Sequence, residues 1–378
     1  MRALVTGGAG FIGSHIADAL LERGYEVRIL DNLEARVHPY GCPPYINPSI
    51  EFIKGDVRNR ASVARAIAGV DVVFHEASHQ DSMPEYGKFF HSNVVGTALL
   101  FELIRERCVP VEKVVIASSQ SVYGEGQYCC STHGLLLPGP RSSEDLARGT
   151  WDLECPECRS ALVPVLLRET RTNPASPFGV SKFAQEQAAL RLGGLLGIPT
   201  VVLRYSIVQG ARQSFYNAYS GICRIFARAF RRGKVPLIFE DGKQLRDYIH
   251  VSDVVRANLL ALDEPLTDGQ TFNVGSGRAT SVLDYARMLG RRMNSQISPE
   301  LPGIYRVSDV RHNVSSVRKL EALGWRAQKS LPDIFDDYLA WLDTSPDSGD
   351  YFGAAFAAMQ RSGVVRSVTR GKRAAAGV

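Results

Sequence analysis

The stretch "VTGGAGFIGSHI", residues 5–16, decides the fold. It sets Gly7, Gly10 and Gly13 three residues apart, between a strand pattern ("RALVT") and a helical one ("GSHIADALLERG"). The three glycines serve in turn a tight turn, close approach of backbone to a pyrophosphate, and close packing of helix on strand. The helix then opens with N–H groups facing the anion. Phe11 and Ile12 lie inside the same loop. "ILDN" ends the next strand pattern, so Asp31 falls eighteen residues after Gly13, with Asn32 beside it. A carboxylate there accepts hydrogen bonds from ribose hydroxyls and repels a 2′-phosphate, which favours NAD over NADP. "GDVRN", residues 55–59, ends the third strand and brings Asp56 and Val57 to the adenine edge. Asp56 also suits a helix N-cap.

Outward from this loop the same rhythm continues. "EVRIL", "IEFIKG", "VDVVFH" and "VEKVVIASS" read as strands, and "RASVARAIAG" and "NVVGTALLFELIRER" as amphipathic helices between them. Such alternation predicts an α/β chain with a Rossmann-like, doubly wound parallel sheet. Residues 1–125 and 171–205 are expected to form this NAD-binding core. Residues 126–170 interrupt it with a Cys-, Gly-, Pro- and Arg-rich insertion. Residues 206–345 read as a smaller substrate-binding lobe, interleaved with a last core strand near 271–275, and residues 346–378 as a flexible basic tail.

The 378 residues carry 45% hydrophobic and 22% charged side chains, ordinary for a globular protein. Much of the net charge of +5 sits in "RSGVVRSVTRGKRAAAGV", which lacks the interleaved aromatics of a nucleic-acid surface. No nucleic-acid partner is therefore expected. No apolar run is long enough to span a membrane, and "MRALVTGG" enters a strand at once, so a cytoplasmic chain with reduced cysteines is expected.

In "YCCSTHG" and "WDLECPECRS", Cys130-x-x-His133 and Cys155-x-x-Cys158 form two knuckles at the spacing of a tetrahedral zinc-ribbon-like site. Cys129 is an alternative ligand. Four protein ligands would make a closed, structural Zn²⁺ site. The insertion runs directly into "NPASPFGVSKFAQE", which suggests that it covers the neighbouring pocket.

The ordered motifs "TGGAGFIG", "VFHEAS", "NVVGT", "SSQSVYG", "GVSK", "LRY", "LRDYIHVSDVVRA" and "FNVGSG" resemble the extended short-chain dehydrogenase/reductase family of sugar-nucleotide epimerases and dehydratases. The resemblance covers residues 1 to 343 apart from the insertion, and is nearest to nucleotide-sugar 4-epimerases of the dTDP-L-rhamnose 4-epimerase-like branch. It implies transient hydride transfer between a dTDP- or UDP-hexose carbon and bound NAD, and a homodimer. It carries the family's lysine onto Lys182 and its hydroxyl residue onto Ser119. Lys182 also holds the cofactor ribose, and Ser119 bonds the substrate oxygen. Arg246 and Arg311 match positions that contact phosphate or ribose, and Arg212 is a further arginine of the substrate side. The resemblance also sets His75 near the cofactor and Asn93 in the floor of the site. Asp247, Tyr248, His250 and Asp253 would hold a loop.

One departure dominates. Phe178 stands where the family has its catalytic tyrosine, four residues before Lys182 and so on the same helix face. A phenol there would be made a better base by the ammonium; a phenyl ring accepts no proton. A positioned base contributes roughly 10² to 10⁴ in rate. Three readings stay open: a disabled epimerase, an epimerase with another base (Ser119, Tyr123, His79 or Cys108), and a protein that binds NAD and sugar nucleotide without turnover. A nucleotide-sugar oxidoreductase or dehydratase using another base is a further alternative. Gln120-Ser121 replaces the Asp-Glu pair of the dehydratases, which argues against dehydration. Ser206 and Ile207 replace the family's usual Asn after "RY", removing one expected diphosphate contact.

Overall fold

Seven short strands build the sheet that carries the rest of the protein in a computed structural model, which describes residues 1–80, 83–215, 221–344 and 351–369. Numbered within this sheet, they are β1 (Arg2–Thr6), β2 (Glu26–Asp31), β3 (Glu51–Lys54), β4 (Val72–His75), β5 (Lys113–Ser119), β6 (Thr200–Tyr205) and β7 (Thr271–Val274). Their order is β3-β2-β1-β4-β5-β6-β7, parallel throughout. The order reverses between β1 and β4, which opens a crevice at the carboxyl ends of the strands.

Both faces of the sheet are covered, so its strands are almost wholly apolar. On one face Ile16 and Leu20 of the helix Phe11–Glu22 pack with Val254 and Ala261 of the helix Val251–Asp263. On the other, Val63, Leu100, Phe101 and Ala189 join the helices Arg60–Ala66, Gly96–Glu106 and Pro177–Leu196. Each fully buried aliphatic side chain contributes about 1.5–3 kcal/mol. The long helix Pro177–Leu196 has clear ends: Ser176 accepts from the Gly179 N–H at its start, Pro177 fills the first turn, and left-handed Gly197 stops it.

The smaller lobe packs the helices Ile222–Arg231, Val282–Arg292 and Leu331–Asp343 around Phe226, Phe230, Tyr285, Leu289, Phe335 and Tyr338. The insertion forms an antiparallel sheet of Gln127–Cys130, Gly134–Leu136 and Val163–Val165, with a helix at Ser143–Arg148.

The flexible basic tail expected over 346–378 needs correction. Tyr351–Arg361 is a helix, and Val365–Ser367 pairs antiparallel with Ile304–Arg306. Met359 and Val365 are buried against Ile304, and Phe239 and Phe356 pack around them. The basic residues conceal an apolar face that docks on the lobe. Residues 346–350 and 370–378 of the expected tail lie outside the described residues. Among the described residues no helix is long and apolar enough to cross a membrane.

Candidate active site

One cleft runs along the carboxyl ends of the strands, and the glycine loop forms its first wall. Gly7 has φ +68, and a Cβ there would lie 2.7 Å from the Ala77 nitrogen. A Cβ on Gly13 would lie 2.4 Å from the Gly7 oxygen. The turn therefore exists only with glycine at both places. Gly10, Phe11 and Ile12 line the same wall. At the end of β2, Asp31 accepts from the N–H of Ala9 at 3.0 Å and of Leu33 at 2.8 Å, tying the loop to the strand. Burial raises its carboxyl pKa, and those two N–H groups and His38 oppose the rise. Asn32 donates to Asp56 at 3.0 Å. Asp56 is gripped by the Arg58 side chain at 2.9 and 2.7 Å, which draws its carboxyl down to about 2. Asp56 does not cap the helix that follows; Asn59 does, accepting from the Ser62 N–H. Val57 completes this end of the cleft.

Sequence reasoning missed Tyr45 here. Its Oη donates to the Ala9 carbonyl at 2.9 Å, and the Arg212 guanidinium stacks over its ring at 5.0 Å. Arg212, a left-handed residue with φ 65, pairs with Asp18 at 2.6 Å and lines this cleft beside the glycine loop, away from the lobe to which it was assigned.

At the other end β5 delivers Ser119, and the helix Pro177–Leu196 delivers Phe178 and Lys182 to the same cleft. Lys182 is buried; its Nζ donates to the Ala117 carbonyl at 2.6 Å and to Gln185 Oε1 at 2.5 Å. Burial pushes its ammonium down to about 8, against the pull of Glu76 and Glu186. Ser119 Oγ accepts from the Ser121 N–H at 3.1 Å and so caps the short turn after β5. Asn93 is buried and bonds Ser78, the His79 backbone and Ser181, the residue before Lys182. His75 is buried between Thr6 at 2.8 Å and Thr97 at 3.0 Å, and desolvation holds it neutral, down to about 3.

The proposed substitute bases fare differently. Tyr123 is buried away from the cleft, its Oη donating to Asn273 at 2.6 Å and accepting from Arg204 at 2.9 Å. Cys108 is exposed beyond the helix Gly96–Glu106, its thiol on the Arg105 carbonyl. Ser119 and His79 remain on the cleft.

A second cleft continues from Phe178, Gln120 and Ser121 into the lobe, and Arg246 lines it. Asp309 at 2.9 Å and the carbonyls of Val310 and Arg311 fix that guanidinium. Arg311 does not reach the cleft. It is buried, donating through Nε to Asp152 at 2.7 Å and gripping Asp241 at 2.7 and 3.0 Å, with Glu240 at 3.1 Å. All of its charge is matched by three carboxylates. The arginine that sequence reasoning missed is Arg306: it lines the cleft, stacks over Phe239 at 5.4 Å, and its Nε has no hydrogen-bond partner among the described residues. The docked C-terminal segment adds Phe352, Val364 and Arg366 to the same wall. The insertion strands do not line the cleft, so the expected cover over the sugar pocket is absent among the described residues. Asp247 holds the loop as expected, accepting from the Ser276, Gly277 and Ser315 N–H groups and from the Ser206 hydroxyl.

The pattern of the NAD dependent epimerase/dehydratase family matches residues 3–142 and 163–275. The chain belongs to this family. It is 31% identical over 348 residues to a dTDP-L-rhamnose 4-epimerase of Burkholderia thailandensis, covering 90% of this chain and 94% of that protein. It is 32% identical over 347 residues to a putative UDP-glucose 4-epimerase of Methanocaldococcus jannaschii, covering 90% and 97%. Among solved structures it resembles the UDP-glucose 4-epimerase of Thermotoga maritima with UDP-glucose (TM-score 0.73, 29% identity, 91% and 99% covered). It resembles equally that of Thermus thermophilus with NAD (TM-score 0.73, 29% identity, 92% and 100% covered).

The family pattern passes over residues 143–162, which include Cys155 and Cys158. In the fold these two meet Cys130 and His133, and all four ligand atoms lie within 4.8 Å of one another. Cys130 Sγ is 3.6 Å from both His133 Nδ1 and Cys158 Sγ, and Cys155 Sγ is 3.3 Å from His133 Nδ1. A tetrahedral ion with bonds of about 2.0–2.3 Å separates its ligands by roughly 3.3–3.8 Å. Cys129 turns to the Cys130 carbonyl instead.

Proposed function

We propose that the protein is a nucleotide-sugar 4-epimerase in type, using NAD and a dTDP- or UDP-hexose, with the phenol of its catalytic pair replaced by Phe178. The observation that carries this reading is the shared cleft: the glycine loop, Asp31, Ser119, Phe178 and Lys182 all line it. The glycine turn, which a Cβ would block, fits a dinucleotide. NAD, when bound, supplies the hydride acceptor and donor. Asp31 holds an adenosine ribose, Asn32, Asp56 and Val57 border the adenine, and Lys182 holds the second ribose. Ser119 bonds the reacting sugar oxygen. Arg246 and Arg306 hold the diphosphate, since planar guanidinium groups suit phosphate oxygens. Arg212, beside the glycine loop, serves the cofactor phosphates.

Phe178 itself supports a second reading, a protein that binds both ligands with little turnover, because loss of a base removes rate before binding. Incubation with dTDP- and UDP-hexoses separates the two. Formation of the 4-epimer is expected; cofactor and nucleotide sugar bound with no epimer formed on any hexose would support the second reading.

The four-ligand cluster fits a closed Zn²⁺ site of structural type. A homodimer through the helices Gly96–Glu106 and Pro177–Leu196 accords with exposed Val95, Val180 and Leu195 at those helices.

A further inference from the structure

One acid on the reaction cleft has no role in this scheme. Glu76 follows the carboxyl end of β4, its N–H bonded to the Thr6 carbonyl at 3.1 Å. Its side chain lines the cleft with Ser119, Phe178 and Lys182. Oε1 accepts from Tyr205 Oη at 3.0 Å, and Asn258 donates to that same Oη at 2.8 Å. Among the described residues nothing donates to Oε2.

Glu76 is half-buried, and ionising a carboxylate there with one neutral donor is costly. Desolvation pushes the Glu76 carboxyl up to about 7, while the Tyr205 hydrogen bond and the Lys182 charge pull it down. Lys182, its ammonium down to about 8, titrates close by; the other ionisable groups around Glu76 do not compete for the proton. His75 is held neutral, with its pKa down to about 3. Glu186 is matched by Arg204 at 2.9 and 2.7 Å. Burial raises the Tyr205 phenol well above its ordinary value. Thr6 and Asn258, the contacts from β1 and from the helix Val251–Asp263, carry no charge.

We propose that Glu76 is the proton acceptor of this site, in place of the phenol that Phe178 lacks. The proposal rests on reading the cleft as a nucleotide-sugar epimerase site. In the oxidising half, the sugar C–H bond breaks and its hydrogen leaves with the electron pair, as hydride, for the oxidised cofactor. The hydroxyl O–H bond breaks, a C=O bond forms, and the proton ends on a Glu76 carboxylate oxygen. The reducing half returns the hydride to the opposite face of the carbonyl carbon and the proton from Glu76 to its oxygen, so cofactor and carboxylate are both regenerated. A carboxyl on this cleft also senses the cofactor's charge: a cationic oxidised ring favours its ionised form, a neutral reduced ring its protonated form.

Two measurements test the proposal on native protein, Glu76→Gln, Glu76→Asp and Tyr205→Phe. The first needs no sugar: the affinities for NADH and NAD⁺ are compared from about pH 5.5 to about 8.5. In the native protein the preference for NADH should fall several-fold as pH rises through the titration of Glu76, and the Gln variant should keep only the change near pH 8 that belongs to Lys182. The second follows near-ultraviolet absorbance of the cofactor after adding a nucleotide hexose. Cofactor reduction should quicken with pH over the same window. The Gln variant should be slower by roughly 10² to 10⁴, with Asp recovering part of the rate. Tyr205→Phe removes a hydrogen bond that favours the carboxylate, so its pH limb should move upward. A Gln variant that reduces cofactor at the native rate, or a native affinity ratio independent of pH, overturns the proposal. If no hexose reduces the cofactor, the epimerase reading fails, and the affinity ratio still decides whether Glu76 exchanges a proton with the cofactor's redox state.

Discussion

The ring of Phe178 meets the ring of Phe89 edge-on, with centroids 6.1 Å apart. Phe178 also borders both clefts, the one with the glycine loop and the one with Arg246. The position is thus an apolar wall at the junction where a sugar carbon would meet the cofactor. Lys182 lies one helical turn on. A Phe178→Tyr variant adds a phenol beside that ammonium, which lowers the phenol pKa. In a Glu76→Gln background, where the proposed acceptor is gone, epimerisation should rise by roughly 10² to 10⁴. Product analysis on dTDP- and UDP-hexoses checks it, and a Glu76→Gln/Phe178→Tyr protein as slow as Glu76→Gln alone on every hexose would count against the epimerase type.

Two arginines are expected to bind substrate and one to hold the fold. Arg246→Ala and Arg306→Ala should each weaken nucleotide-sugar binding about tenfold or more, as for a lost charge-assisted hydrogen bond, with NAD affinity unchanged. Arg311→Ala takes the paired cation from Asp241 and one of the two from Glu240, so it should cost on the order of 1.5–3 kcal/mol of stability. Calorimetric titration separates the first pair from the third. An Arg311→Ala protein of native stability and reduced substrate affinity would reverse the assignment.

Acid should unfold the chain partly through His75. Its imidazole is neutral in the fold, with pKa down to about 3 against 6.5 in the open chain. Between these values the unfolded chain binds the extra proton, so stability is lost as pH falls from about 6.5 toward about 3. From pH 6.5 to pH 4 the loss is on the order of 3 kcal/mol as an upper figure. Denaturant melts at stepped pH should show this slope, and His75→Gln should flatten it even if the variant starts less stable.

What was legible in the sequence was local. The glycine loop, Asp31 and the Phe178–Lys182 pair each sit within one turn or one strand end, where spacing fixes direction. Arg311 misled because spacing shows that a charge is present, not which way it points. Arg306, five residues earlier, faces the cleft, and only the packing of Tyr305 and the docked strand Val365–Ser367 reveals it. The tail's basic composition hid Met359 and Val365, whose burial needs partners near residue 304. Glu76 was visible in "VFHEAS", but Tyr205 stands 129 residues away, and no periodicity joins them.

The segment that carries Cys155 also ties the insertion to the residues behind Arg246. Asp152, three residues before Cys155, accepts from Arg311 at 2.7 Å. Arg311 shares Glu240 with Arg141, whose guanidinium also holds the Asp309 carbonyl at 2.8 Å and Glu125 at 3.0 Å. Asp309 in turn fixes Arg246 on the cleft. A metal ion that pins Cys130, His133, Cys155 and Cys158 would therefore steady one end of a continuous ionic chain whose other end is a diphosphate ligand. Protein purified without chelator should hold close to one zinc per chain, and Cys155→Ser should hold little. Loss of the ion should lower the melting temperature and weaken nucleotide-sugar binding several-fold, leaving NAD affinity unchanged, because the glycine loop lies outside the chain of contacts. Asp152→Asn tests the link by itself: zinc should stay while nucleotide-sugar affinity falls. Full zinc with undiminished affinity in Asp152→Asn would show that the ion staples the insertion alone.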